Sequence, residues 1–485
     1  MEFKMVQKDW IFLFLCFLVG IVAEEAFFRF QIGISYFLFI VFFYLLFFWR
    51  FRTFVFSHQR IGYLLLISIW ILAAGYYVYD TALFYILNIL VIPTLVIFHL
   101  VLITSPKKFE WSNPNFIFYT LRRLVDGIRY NATFIKYTSR LSKSSNNKKH
   151  FDVWKKILIG IGISLPFLFI IINLLMKADT QFARILSNIP NFMTFRGDLV
   201  FRFIIIVIIT FLFFGFLQVL LQRKVEMIQK DGMIKPMSMD GVITMTVLLL
   251  LDLVYILFVA VQFKYFFSGT LDDGFTYAEY ARRGFFELLF VAMINLTVTV
   301  SVIYSTKQVQ GFLKKGIRFT LSILVLSSAV ILTSAFMRML MYEGAYGFTF
   351  LRVLVHSFMI FLMFILAYTL VKIWLDQLSL FHFYFIAALI YYVGINAVNL
   401  DLIVIKQNIA RYEETGKIDI YYLNQFSSTG VLGLIELYEK NPNVPGLEVL
   451  LKERKQERDV LKSDAWQSRN FTRDKVYKML GELKL

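Results

Sequence analysis

Cysteine occurs once in the 485 residues, as Cys16, and histidine five times. One cysteine inside an apolar run excludes an internal disulfide and any cysteine-based metal centre. The histidines, at 58, 99, 150, 356 and 382, show no metal-ligand spacing. No phosphate-binding glycine loop, GxSxG elbow or HExxH helix occurs. No cofactor and no metal are therefore expected, and an enzyme has no positive support. Proline is also scarce, with eight residues, and Gly160, Gly162 and Pro166 interrupt one span only. The matched broken helices and inverted repeat of many transporters are not visible.

Charge is the next shortage. Only 17% of residues are charged while 59% are hydrophobic, with 55 Phe. That composition excludes a soluble globular fold. Apolar segments of about 17 to 25 residues are long enough to cross about 30 Å of hydrocarbon as helices. Eleven are expected, at 10–23, 34–49, 61–79, 83–103, 157–176, 199–221, 242–266, 285–304, 317–337, 350–374 and 380–398. The fold class is all-α, a polytopic transmembrane helix bundle over 1–398 with a small soluble helical tail over 399–485.

The net charge of +17 is scattered between apolar segments. It fits basic cytoplasmic loops, not a nucleic-acid surface. Arg50, Arg52 and Arg60 fall in one such loop, Lys307, Lys314, Lys315 and Arg318 in another, and twelve basic residues in the loop 104–156. These loops are assigned inside, which places the N-terminus inside and, with eleven spans, the tail outside. Within the long loop, Phe116, Ile117, Leu121, Leu124, Val125 and Ile128 recur at helical spacing beside Arg122, Arg123 and Arg129. That pattern suits a helix on anionic lipid or one packed on its own protein.

The tail mixes charges of both signs and reads as helices at 401–413, 421–426, 431–439, 446–458 and 472–483, with a turn at Asn441 to Pro445. Leu402, Ile405, Ile409 and Tyr412 form an apolar stripe expected to dock it on the span ends.

The stretch TYAEYARRGFFEL, 276–288, carries charge to the edge of a span. Thr276 and Glu279 form a capping box. Arg282 and Arg283 follow, and Glu287 lies about 15 Å along the helix from its start. A carboxylate at that depth is costly unless paired, so it marks a functional path or an ion pair with Arg283. On the next span, Ser334, Arg338 and Tyr342 share a helical face, followed by Glu343. Arg338 needs an anion, for which Glu287, Glu343, Asp179, Glu24 and Glu25 are candidates. Their convergence would make an outward-facing polar site of Glu279, Arg282, Arg283, Glu287, Arg338, Tyr342, Glu343 and Asp179. Lipid snorkelling by each arginine is the alternative.

Five blocks carry a family resemblance: GIS at 33–35, ADTQF at 178–182, TYAEYARRGFFEL at 276–288, MRMLMYEGAYGFTFLR at 337–352 and NLDLIVIKQNI at 399–409. They resemble a family of bacterial multi-pass proteins, domain of unknown function 4173, related to domain of unknown function 4153. In the last block Leu400 stands where that pattern carries a proline. The resemblance implies a bacterial cytoplasmic membrane location and no activity. Two functions follow from the residues: a transporter or channel-like protein lined by Glu287 and Arg338, or a sensor or assembly partner whose outer face binds a small ligand or an envelope protein. The lipid bilayer is the remaining partner, with anionic lipid at the basic loop.

Overall fold

The computed structural model describes residues 5–107, 109–113, 115–143, 164, 171, 175, 179, 191–222, 239–267, 285–460 and 465–484. These form sixteen α-helices and one short 3-10 turn. The spans are α1 (Gln7–Phe27), α2 (Ile34–Arg50), α3 (Gln59–Val78), α4 (Ala82–Thr104), α6 (Asn191–Leu221), α7 (Gly241–Phe267), α8 (Phe285–Ser305), α9 (Gly311–Tyr346), α10 (Phe350–Trp374) and α11 (Leu380–Ala397). Nine are long and apolar enough to cross a bilayer, and α2 is a shorter apolar helix of 17 residues. The chain is an integral multi-pass membrane protein. The expected span at 157–176 lies outside the described residues, apart from Ser164, Ile171 and Leu175.

Two large cores, with a small third cluster around Phe84 and Ile395, hold the spans. In the first, Phe12, Phe43, Phe47 and Phe51 from α1, α2 and the turn after it meet Leu65, Ile69, Leu100 and Phe214. In the second, Leu324, Leu332 and Ala335 of α9 pack against Leu248 of α7, Leu288 of α8 and Met359 of α10. Lipid tails are as apolar as these side chains, so tight fit and short interhelical distance supply the association. Helix α5 (Asn115–Lys143) shows how. A Cβ on Gly215 of α6 would collide with the Gly127 carbonyl oxygen of α5, so the two backbones are in direct contact. Asn131 Nδ2 then donates to the Phe211 carbonyl at 2.7 Å.

The apolar residues read on α5 divide between two surroundings. Phe116 and Leu124 join the bundle core, whereas Ile117, Leu121, Val125 and Ile128 are exposed. The helix thus packs on its own protein and still presents an apolar stripe.

The tail forms α12 (Leu400–Thr415), α13 (Ile420–Gln425), α14 (Ser428–Lys440), α15 (Leu447–Val460) and α16 (Phe471–Glu482), with the 3-10 turn Trp466–Ser468 before the last. These match the five helices read from sequence to within a few residues. The stripe on α12 has a different partner from the one expected. Ile405 and Ile409 turn into the tail's own core with Leu423, Leu434, Leu437 and Leu451, while Leu400 at the start of the same helix packs with Phe84 and Ile395 of the spans.

Candidate functional site

The polar groups of α9 are brought together with residues of α7 and α10. Gln262 Oε1 on α7 accepts from Ser334 Oγ at 2.9 Å and from Arg338 Nη2 at 3.2 Å, and all three side chains are buried. One helical turn on, the Arg352 guanidinium of α10 lies 4.1 Å from the centre of the Tyr342 ring. Glu343, turned towards α10, is 3.1 Å from His356 Nδ1, and the other nitrogen of that ring is 3.4 Å from the Phe336 carbonyl. Burial of a carboxylate is tolerated where a cation or hydrogen-bond donor meets it, and His356 supplies that here.

The expected site residues therefore have separate fates. Arg338, Tyr342 and Glu343 lie on the last turns of one helix, each with its own partner. Glu287 is exposed on α8 and pairs with no described residue. Asp179 is also exposed. Glu279, Arg282 and Arg283 lie outside the described residues, as does the helix start at 276. Glu24, a candidate partner for Arg338, instead receives both arms of Arg202, Nε to Oε1 at 2.6 Å and Nη2 to Oε2 at 2.9 Å. Glu25 accepts from Arg29 at 3.0 Å and from Gln467 of the tail at 2.6 Å. The sequence analysis passed over Gln262 altogether and considered His356 only for metal-ligand spacing, which it lacks. An amide and an imidazole placed on spans were the available signals.

A second polar region forms where the tail meets the span ends. The last carbonyls of a helix have no partner within it, and the tail supplies them for α3. Asn470 Nδ2 donates to the Tyr76 and Tyr79 carbonyls, both at 3.0 Å, and Thr472 Oγ1 to that of Val78 at 2.6 Å. The exchange is reciprocal. Asp80, in the turn between α3 and α4, accepts from the first amide of α14, Ser428 N, at 3.0 Å. Thr81 Oγ1 donates to Asp401 Oδ2 at 2.7 Å, and burial with the nearby Asp80 pushes the Asp401 carboxyl up to about 6.

Three of the five sequence blocks sit in this contact. Gly33 of the first lies under the tail backbone, where a Cβ would be 2.6 Å from the Arg469 carbonyl oxygen, and Ile34 N donates to that oxygen at 3.1 Å. Asn408 of the last block pairs twice with Phe348 of the fourth, accepting from its amide at 3.1 Å and donating to its carbonyl at 2.8 Å. Between tail and spans a cleft of about 530 Å³ remains, with Tyr76, Tyr79, Tyr85 and Tyr477 on its walls beside Arg454 and Arg473. Among the described residues no group of three or more His, Cys, Asp or Glu side chains could hold a metal ion.

No curated protein and no solved structure matches the chain. Residues 66–437 match Domain of unknown function (DUF4153), the relative named second in the sequence resemblance. With most of its length inside that match, the chain belongs to the DUF4153 family of multi-pass membrane proteins.

Proposed function

We propose that the protein is a membrane sensor or envelope-assembly partner that receives a ligand or a protein segment in the cleft between its tail and its span ends, with the tail outside the cell. The cleft itself carries this reading. It is built by two parts of the chain, so filling it changes how they sit together. Its tyrosines offer flat apolar faces, and Arg454 and Arg473, held in place by Asn424 and Gln31, set positive charge at fixed positions beside them, the mixture found where ligands are oriented. The exposed stripe of α5 beside Arg122 and Arg129 supports contact with anionic lipid on the other side of the membrane.

A transporter with an outward-facing polar site is the second reading. The buried Arg338 with Gln262, and Glu343 with His356, favour it, since polar groups within spans mark solute and ion paths.

Two measurements test the proposal. A cysteine at Tyr421, which is exposed on the tail, in a Cys16→Ser background should react with an impermeant maleimide in intact cells. Labelling only after lysis would place the tail inside. A photo-crosslinking residue at Tyr79 or Tyr477 should capture one defined envelope component, and the same residue at exposed Val449 should not. Identical adducts at all three positions would defeat the cleft, and solute uptake by proteoliposomes abolished by Arg338→Gln would favour the transporter.

A further inference from the structure

At the end of the bundle away from the tail, α8 stops at Ser305, α9 starts at Gly311, α10 stops at Trp374 and α11 starts at Leu380. A cavity of about 950 Å³ opens among these four helix ends and the loop before α5. It therefore lies where the apolar helices give way to loops. Two aromatic side chains mark the same level, Phe312 fully in the open and Trp374 half-exposed with its indole N–H on Ser322 Oγ at 3.1 Å. Aromatic rings of this kind gather at the edge of a bilayer.

The cavity has two kinds of wall. Ile317, Leu321 and Ile373 of α9 and α10 make an apolar, buried floor, and Phe118 of α5 adds an exposed aromatic side. The rim carries Lys307, Lys314, Arg318 and Lys372 against Asp376 and Glu110, four cations to two carboxylates. Their arrangement is ordered. Asp376 Oδ2 accepts from Arg318 Nη2 at 2.6 Å and from Lys314 Nζ at 3.1 Å, and its carbonyl accepts from Lys372 Nζ at 2.6 Å. One exposed aspartate thus gathers three cations on one side of the opening. Lys307 Nζ stands 4.7 Å from the centre of the Tyr304 ring and pairs with no carboxylate among the described residues.

An excess of cations in a cavity between spans, flanked by apolar wall and aromatic rings, has the chemistry of a phosphate that arrives with acyl chains attached. We propose that this cavity is a binding site for the headgroup of an anionic phospholipid. The phosphate meets Lys307, Lys314 and Arg318, and the chains leave past the exposed ring of Phe118. The site is independent of the cleft at the tail end.

The test uses the full chain purified in a neutral detergent, with phosphatidylglycerol, phosphatidylcholine and inorganic phosphate as probes, read by retained lipid in native mass spectrometry and by thermal midpoint. Phosphatidylglycerol should be retained at about tenfold lower concentration than phosphatidylcholine, the ratio that one charge-assisted hydrogen bond supports. Lys307→Gln with Lys314→Gln and Arg318→Gln should remove that preference. Glu110→Gln, which takes away a competing carboxylate, should strengthen it, a gain that misfolding cannot imitate. Arg122→Gln with Arg129→Gln on α5 should leave it in place. Equal retention of the two lipids overturns the proposal. So does a preference that survives the triple substitution, or one lost only with the α5 pair. Protection by inorganic phosphate equal to that by phosphatidylglycerol would make the ligand a free anion and overturn the lipid assignment.

Discussion

The two ends of the helix bundle are finished by different means. At one end, helix termini are closed by another part of the same chain: Asn470 and Thr472 donate to the last carbonyls of α3, the Arg469 carbonyl accepts from the first amide of α2, and Asp80 accepts from the first amide of α14. At the other end, two helix ends and the loop after α8 carry cations around an open cavity. The contrast follows from what each kind of group needs. A helix terminus is satisfied by one well-placed neutral donor or acceptor, which a folded tail can supply at fixed distance. Lysine and arginine need mobile anions or water, so their end of the bundle stays open to whatever carries negative charge.

The strongest way to break the contrast is at Gly33. Gly33→Val sets side-chain atoms against the Arg469 and Gln467 carbonyls, which are backbone and cannot swing away. It should destabilise docking of the last tail helix by about 3 kcal/mol, as overpacking of a tight contact does. Proteolysis of the tail in the purified protein should accelerate accordingly, while phosphatidylglycerol retention at the opposite end stays unchanged.

A smaller effect comes from pH. The Asp401 carboxyl sits at about 6 in the folded protein against an ordinary 3.8, with burial as the main cause, Thr81 opposing it and Asp80 adding to it. As pH falls through about 6 the folded form takes up a proton that the unfolded chain accepts only near 3.8. Stability therefore rises as pH falls across that window and is lost as pH rises through 6. Between pH 7 and pH 5 the tail contact should gain about 1 kcal/mol. Hydrogen exchange of α12 amides should show it, and Asp401→Asn should flatten the dependence.

The smallest effect on stability is expected at the open end. Arg318 and Lys314 hold the Asp376 carboxyl below its ordinary range, yet its side chain is two-thirds exposed, and exposed pairs contribute less than about 1 kcal/mol. Asp376→Asn should leave the thermal midpoint almost unmoved and lower the concentration of phosphatidylglycerol needed for retention. A fall in midpoint as large as that of Gly33→Val would mean that the open end is held by the chain after all.

Much of the architecture was legible. Spans such as α4 and α10 are apolar along most of their length, and a run of that length in a chain this poor in charge has one structural solution. The tail helices were legible because turn residues and caps punctuate them, as at Asn399 and Asp419, whose side chains accept from Leu402 N and Tyr422 N. The site was legible only in part. Ser334 and Arg338 share a face because a helix repeats every 3.6 residues, but Gln262, 72 residues earlier in the chain, offers no sequence sign that it faces them. Glu287 and Arg338 enter from neighbouring spans, and proximity in sequence gave no information about which sides of α8 and α9 meet.

By itself the sequence determined that the chain is an all-α membrane protein with a polar helical tail, since hydropathy, helical period and capping are local properties that each segment carries alone. Tertiary structure decided the rest: that Ile405 and Ile409 serve the tail's own core, that Asn470 closes a helix almost four hundred residues away, and that four cations from three helix ends and their loops face one cavity. Those outcomes depend on the rotation and depth of one helix against another, which small side chains such as Gly33, Gly127 and Gly215 set by allowing backbones to touch, and no single segment encodes them.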